Sequence, residues 1–123
     1  MRPVLFFCFA AALTWALSSQ LHAAESLDQT ITYLLDSVAK SDAAFIRNGD
    51  PHTPAEAMAH IKAKYEHFKG QIKSPEDFIR LSASKSLLSG KPYLVRTHDG
   101  KELRLDAWLS EALRKHRAEL GNG

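Results

Sequence analysis

Apolar residues recur in steps of three and four after residue 26, which predicts a first helix. Ser26 and Gln29 have the spacing of a capping box, in which each side chain binds the other residue's backbone N–H. The apolar positions share one helical face, and they are Leu27, Ile31, Leu34, Leu35 and Val38. We therefore expect a helix from about Leu27 to Lys40.

Two more helices are predicted to begin with a hydroxyl cap followed by proline, which loses no intrahelical hydrogen bond at the first helical position. Thr53-Pro54 begins one helix, which ends at Gly70, and its apolar face is Met58, Ile61, Tyr65 and Phe68. Ser74-Pro75 begins the other, and its shared face is Phe78, Ile79, Ser82, Ala83 and Ser86. Gly90 is the expected C-terminal stop, since Pro92 prevents continuation.

The segment between the first two helices gives a mixed signal. Residues 43–46 stay apolar and fit either the end of the first helix or a short extended piece. Asn48-Gly49 and Asp50-Pro51 are turn signals, because Asn and Gly tolerate positive φ and Pro fixes φ. We expect a turn over residues 47–52.

The apolar period becomes two after Pro92. Residues 93–96 and 102–105 flank Asp99-Gly100, which predicts a hairpin whose one face packs on the helices. Asp106 is expected to cap a last helix ending at Gly121, with apolar residues Trp108, Leu109, Ala112, Leu113 and Leu120. The predicted fold class is α+β, with three helices, a β-hairpin and a C-terminal helix in one small domain over residues 24–123.

Residues 1–23 have the pattern of a cleavable export signal. Arg2 supplies a positive end, and an apolar run of about 14 residues from Val4 to Leu17 is shorter than the roughly 20 that span a bilayer. Small residues suit signal peptidase, so we expect cleavage after Ala23 or Ala24. The mature domain is expected in the periplasm, without membrane insertion after cleavage. The alternative is a buried N-terminal helix.

Cysteine use and charge narrow the function classes. Cys8 is the single cysteine and follows Phe7 within the apolar run, which disfavours a lipid anchor. The mature chain then has no thiol for a disulfide or a cysteine metal site. Of the 16 Lys and Arg residues, Arg2 lies in the signal, which leaves 15 against 14 Asp and Glu. Because both signs are interspersed, no nucleic-acid partner is expected.

Three stretches resemble one known family. They are residues 45–53 with Glu56, Ala57, His60 and Lys64; Ser74-x-x-Asp77-Phe78-Ile79 with the serine-rich stretch 82–86; and Ser89-Gly90-Lys91-Pro92-Tyr93. Over roughly residues 27–96 the chain resembles the YfeK-like family of small exported bacterial proteins, built on a domain of unknown function. The resemblance implies a periplasmic location and brings no activity. The family pattern has a cysteine near Pro54 that this chain lacks, so no cysteine-dependent property is transferred.

The histidines of the second helix suggest a metal or acid–base cluster. Glu56, His60 and His67 lie along one stripe away from the apolar face. Asp50 and His52 would join His60 in such a site. The alternative pairs His60 with Glu56 as an ordinary i, i+4 contact, while Glu56 also caps the helix. The spacing is not that of a zinc motif, so no metal ligand and no cofactor is predicted.

The serine-rich segment suggests a hydrolase as the second hypothesis. Ser82-Ala83-Ser84-Lys85 has S-x-x-K spacing, but the G-x-S-x-G elbow and the companion motifs are absent. The alternative is that small residues let the third helix approach its neighbours. A small hydrolase or metal-dependent enzyme would use His52, His60 and a serine from residues 82–86.

The turn at residues 47–50 is the leading candidate for a ligand site. Arg47 offers a planar fork for carboxylate or phosphate. The amides of Asn48 and Gly49 form a potential anion-binding concavity, and the following helix adds its positive dipole end. The alternative is a tight connection in which Arg47 pairs with Asp50 or Asp42.

The leading hypothesis is a non-enzymatic binding or interaction module. Its expected partner is an unknown envelope protein or a small anionic ligand. The candidate ligand-binding residues are Arg47, Asn48, Asp50, His52, His60, Ser84, Ser86, Lys91 and Tyr93. No catalytic residue is predicted, and the spacing of Tyr93 and Trp108 is also that of core aromatics.

Overall fold

The computed structural model describes residues 24–122, so the predicted export signal lies outside the described residues. The helices are α1 (Leu27–Ala39), α2 (Pro54–Phe68), α3 (Pro75–Ser82) and α4 (Leu105–Asn122), and a 3₁₀ turn over Lys69–Gln71 follows α2. The strands are β1 (Ala44–Arg47), β2 (Asp50–His52), β3 (Leu94–Arg96) and β4 (Glu102–Arg104). The α+β class is confirmed. Across these residues, no helix combines the length and apolar character needed to cross a bilayer.

The sheet has four antiparallel strands in the order β2-β1-β3-β4, where only the β3–β4 hairpin was predicted. Phe45 of β1 pairs with His52 on one side and with Val95 on the other. The β1–β2 hairpin escaped prediction because Phe45 and Ile46 are both buried, which removes the alternation typical of a strand. Pro51 fits because β2 is an edge strand.

The third helix is shorter than predicted, because α3 ends at Ser82 rather than near Gly90. The Ser84 hydroxyl donates to the Ile79 carbonyl at 2.9 Å, and such local bonds compete with helix continuation. Residues 83–92, which we call the serine loop, turn back so that the Tyr93 N–H donates to the Ser84 carbonyl at 3.0 Å. The loop therefore leads Tyr93 into the sheet.

The other helix boundaries follow the predicted caps with small differences. The capping boxes of α1 at Ser26 and of α2 at Thr53 are both present. The last helix begins at Leu105, so Asp106 lies in its first turn and binds the Arg104 guanidinium at 3.0 and 2.8 Å instead of capping. Gly121 lies within α4 rather than beyond it.

The core lies between the helices and one face of the sheet. Its most completely buried apolar side chains come from all four helices and from β3, and they are Phe78, Ile31, Leu34, Ile61, Leu109, Val38 and Val95. Trp108 packs edge-to-face on Phe45 with ring centroids 6.0 Å apart, so α4 contacts the central strand. Since α2 also contacts β1, side chains of α2 reach the end of that strand.

Candidate functional site

A pocket of about 360 Å³ opens between β1, the first turns of α2 and the start of β3. We call it the β1–α2 pocket. Its apolar lining is Phe45, Ile46, Ala57, Ile61 and Leu105, and its polar lining is Arg47, His52, Glu56, His60 and Tyr93. The volume lies at the small end of the range typical of small-molecule sites. Four of the predicted site residues thus lie around one cavity: Arg47, His52, His60 and Tyr93.

A chain of hydrogen bonds crosses the polar side of this pocket. The Arg47 Nη1 lies 2.6 Å from His60 Nδ1, and His60 Nε2 lies 3.1 Å from the Tyr93 hydroxyl oxygen. Because a guanidinium only donates, Nδ1 must be the unprotonated acceptor, and Nε2–H donates to Tyr93. Arg47 therefore fixes the tautomer of His60.

The sequence suggested that Arg47 pairs with Asp42 or Asp50 and that His60 pairs with Glu56, and none of these pairs forms. Among the described residues, Arg47 makes no salt bridge with Asp42 or Asp50, and His60 makes none with Glu56. The i, i+4 partner is wrong because β1 brings Arg47 over α2 at the position of His60. Glu56 instead lies 3.7 Å from His52 Nδ1.

Lys64 is a buried cation behind the pocket that sequence reasoning did not assign to the site. Lys64 is only 8% exposed. Its Nζ donates to the Lys85 carbonyl at 2.8 Å and to the Tyr93 oxygen at 3.2 Å. The ammonium also lies 4.9 Å from the centroid of the Tyr93 ring. A lysine between Ile61 and Tyr65 on the apolar face of α2 was the available signal.

The Tyr93 hydroxyl has a proton to donate and no acceptor among the described residues. Its oxygen accepts from Lys64 Nζ and from His60 Nε2, which occupies both lone pairs. Its own O–H is therefore left without a partner, although the residue is only 5% exposed. Tyr93 is also one of the residues that line the pocket.

Burial and neighbouring cations set the charges of the pocket. Burial lowers the pKa of His60, and the positive charges of Arg47 and Lys64 lower it further. Burial also lowers the pKa of Lys64 and raises the pKa of Tyr93, the latter opposed by Arg47. At neutral pH, His60 is therefore neutral and Tyr93 is protonated.

Glu56 supplies the one carboxylate of the pocket lining. Its Oε1 accepts from the Thr53 backbone N–H at 2.9 Å, and this bond is the main reason that the pKa of Glu56 is lowered. The carboxylate is thus ionised and held by the helix cap at the rim. This hydrogen bond gives Glu56 the helix-capping role that the capping-box spacing predicted.

The remaining predicted site residues join the serine loop to the β1–β2 turn or lie outside the pocket. The Asn48 amide donates to the Ser86 hydroxyl at 3.4 Å and accepts from the Ser89 hydroxyl. Ser84 is engaged with Ile79, as described above. Asp50 and Lys91 are exposed and do not line the pocket.

The second hypothesis is a small hydrolase or metal-dependent enzyme, which would need a serine bound to a histidine or a cluster of metal ligands. No hydrogen bond joins a hydroxyl of the serine loop to a histidine within residues 24–122. No group of three or more His, Cys, Asp and Glu residues that could hold a metal ion occurs in that range either. In the polar lining of the pocket, Arg47 is a hydrogen-bond donor and Glu56 is an acceptor.

Comparison with known proteins gives a family and a relative. The model of a family described as "Family of unknown function (DUF5329)" matches residues 25–117. Over 94 residues the chain is 34% identical to Uncharacterized protein YfeK of Salmonella typhimurium (strain LT2), which covers 76% of this chain and 77% of that protein. No solved structure matches the chain.

Proposed function

The chain belongs to DUF5329, a family of unknown function, and from that premise we propose that its mature domain is a periplasmic, non-enzymatic module that binds an anionic ligand in the β1–α2 pocket. One observation carries the binding proposal. Tyr93 and Arg47 both line a cavity, and the described residues leave the Tyr93 O–H and the Arg47 guanidinium without an anionic partner.

The cost of an unsatisfied buried donor favours a ligand at this place. A buried donor without an acceptor destabilises a protein by about 1–3 kcal/mol, and for Tyr93 this applies to the hydroxyl proton only, since its oxygen already accepts two hydrogen bonds. An anionic oxygen between Arg47 and Tyr93 would accept from both groups, and charge-assisted bonds of this kind are stronger than neutral ones. The pocket also has an apolar lining, as ligand sites usually do.

The periplasmic location rests on the pattern of residues 1–23. Mass spectrometry of the protein from fractionated cells should give a mature chain that begins at Ala24 or Glu25, recovered in the osmotic-shock fraction. A chain that begins at Met1, or one that stays with the membrane after a high-salt wash, would contradict this location.

A variant comparison tests the binding proposal. The purified mature domain is incubated with the small-molecule fraction of an envelope extract, re-isolated, and its bound compounds are identified by mass spectrometry. Arg47→Gln removes the guanidinium charge and keeps a polar side chain at this position. Arg96→Gln is the matched control, since Arg96 is an exposed strand arginine that binds Glu102 away from the pocket.

We expect the wild-type domain and Arg96→Gln to retain an anionic compound that Arg47→Gln does not. Equal recovery of the same anions by all three proteins would refute the pocket as an anion site. Recovery of no anion above the level of Arg47→Gln would refute it as well.

A further inference from the structure

The charges and the apolar lining of the β1–α2 pocket narrow the class of ligand. We infer that the ligand is a monocarboxylate attached to an apolar body, and this inference rests on the proposed function. The carboxylate would bind Arg47 and the Tyr93 hydroxyl, while the apolar body would lie against the cavity wall formed by Phe45, Ile61 and Leu105.

The charge balance favours a single negative charge. Two cations act on the ligand position: Arg47 at the pocket surface and Lys64 behind the Tyr93 oxygen. His60 is neutral, and the ionised Glu56 carboxylate lies on the rim. Taken without His52, the charged groups Arg47, Lys64 and Glu56 thus leave about one net positive charge, which a monoanion neutralises. A dianionic phosphate would leave an excess of negative charge in the pocket, and the Glu56 carboxylate would repel it.

The donor geometry favours a planar oxyanion. A guanidinium presents its N–H groups in one plane, as a fork that matches the two oxygens of a carboxylate. Arg47 is held by its Nη1 contact with His60, so its orientation is set before a ligand binds. The Tyr93 O–H adds one further donor, which suits two oxygens better than the three or four of a phosphate.

The apolar lining of the pocket favours a ligand that carries an apolar group beside its carboxylate. Half of the lining residues are apolar, and inorganic anions or acetate would leave this part of the cavity in contact with water. Transfer of a methylene group from water to such a surface is favourable by about 0.8 kcal/mol, or about fourfold in affinity. An acid with a ring or a short alkyl chain therefore gains affinity that a bare carboxylate lacks.

Titration with defined probes tests this ligand class. Chemical shifts of the ¹⁵N-labelled mature domain are followed with phenylacetate and hexanoate as apolar acids, acetate as the acid without a body, phenylacetamide as the body without a charge, and inorganic phosphate. We expect saturable shifts at residues of β1 and α2 for the two apolar acids. Acetate and phosphate should bind at least tenfold more weakly, and phenylacetamide should not saturate.

Two variants with one control locate the binding. Arg47→Gln and Tyr93→Phe should each weaken phenylacetate binding at least tenfold, whereas Arg96→Gln should not change it. The second variant keeps the packing of the aromatic ring and removes only the hydroxyl, which is both the proposed donor and the acceptor for His60 and Lys64. Folding of each variant is checked by its amide spectrum before titration.

The outcomes separate the two proposals. Phosphate binding as tight as phenylacetate binding overturns the monocarboxylate class and leaves the anion site intact. Acetate binding as tight as phenylacetate binding overturns the inference that the ligand carries an apolar body, and it also leaves the anion site intact. Phenylacetamide as tight as phenylacetate, or no saturable binding of any anion, overturns both the ligand class and the proposed function.

Discussion

At the scale of single residues, Tyr93 joins the packing of the domain to the chemistry of its pocket. The ring is buried, while its oxygen receives donors from His60 on one side and from Lys64 on the other. Lys64 has no carboxylate partner among the described residues, so the phenol oxygen and the Lys85 carbonyl are the acceptors that make its burial tolerable. The same oxygen also fixes where His60 lies.

Removing that oxygen should therefore destabilise the fold. Tyr93→Phe leaves Lys64 with one acceptor and His60 Nε2 with none, and we expect the free energy of unfolding to fall by about 1–3 kcal/mol. Urea unfolding measures the change. Tyr33→Phe is the control, since the half-buried Tyr33 stacks on His116 and its hydroxyl makes no hydrogen bond to a described residue. An equal loss in both variants would contradict the role of the Tyr93 oxygen.

The lowered pKa of His60 makes stability depend on pH. Because the folded-state pKa lies below the ordinary value of about 6.5, the unfolded chain takes up a proton at a higher pH than the folded chain. The contribution of neutral His60 is thus complete above about pH 6.5 and is lost as the pH falls through the folded-state pKa. Protonation at Nδ1 would also break the bond from Arg47.

Unfolding free energies at pH 7.5, 6.5 and 5.5 test this dependence. We expect the wild-type protein to lose stability across this range and His60→Asn to lose less, since its side-chain oxygen can accept from Arg47 without titrating. His98→Asn is the control, because His98 is 86% exposed. A variant His60→Asn with the wild-type slope would show that another group is responsible.

At the scale of elements, the β1–β2 turn decides where Arg47 lies. Arg47 pairs with Asp50 across a two-residue turn, in which Asn48 and Gly49 have φ of 53° and 84°. Asn-Gly is the sequence that such turns prefer, because both positions need positive φ. The turn is also joined to the serine loop by the hydrogen bond from Asn48 to Ser86, so the two polar segments of the chain form one connected unit.

A side chain at Gly49 should loosen this unit. Gly49→Ala forces a non-glycine residue into the left-handed region, which costs about 1–2 kcal/mol of stability. Gly70→Ala is the control, since Gly70 lies in the 3₁₀ turn without positive φ and has open space around it. Thermal unfolding compares the two. If the two variants melted together, the turn would not hold the strained conformation.

The elements that the sequence predicted are those with a local signal. The caps at Ser26, Thr53 and Ser74 determine three helix starts, and each side chain binds the expected backbone N–H. The β1–β2 hairpin has a local Asn-Gly turn, but its strand β1 is central and also pairs with β3, as Phe45 does with Val95. The end of α3 is set by the hydrogen bond from Ser84 to Ile79 rather than by the apolar pattern. Periodicity does not contain that information, so both were missed.

The candidate site was predictable to the same extent. Residue type pointed to Arg47, His52, His60 and Tyr93, all of which line the pocket. Their partners were not predictable, because Arg47 and His60 are 13 positions apart and meet only when β1 packs against α2. Lys64 was missed because a lysine on an apolar helical face shows its role only when Tyr93 is placed beside it.

At the scale of the whole molecule, the domain over residues 24–122 has one core to which each of its four helices contributes. The core residues of α1, α2, α3 and α4 form a single cluster together with those of the sheet. Residues 24–122 contain no cysteine, so no disulfide supports this packing. A domain of about 100 residues with one core is expected to unfold in a single cooperative step.

Substitution of a core leucine tests this whole-molecule expectation. Leu109 of α4 is 0% exposed, and Leu109→Ala should lower the free energy of unfolding by about 2–5 kcal/mol through lost burial and the cavity it leaves. Leu120→Ala on the same helix should change it by less than about 0.5 kcal/mol, since Leu120 is 52% exposed.

Trp108 is the one tryptophan of the predicted mature chain, so its fluorescence reports packing against β1 while circular dichroism reports the helices. We expect both signals to change at the same urea concentration in each variant. If fluorescence changed before the helical signal, α4 would separate from the sheet independently, and the pocket behind β1 would rest on a subdomain rather than on the whole core.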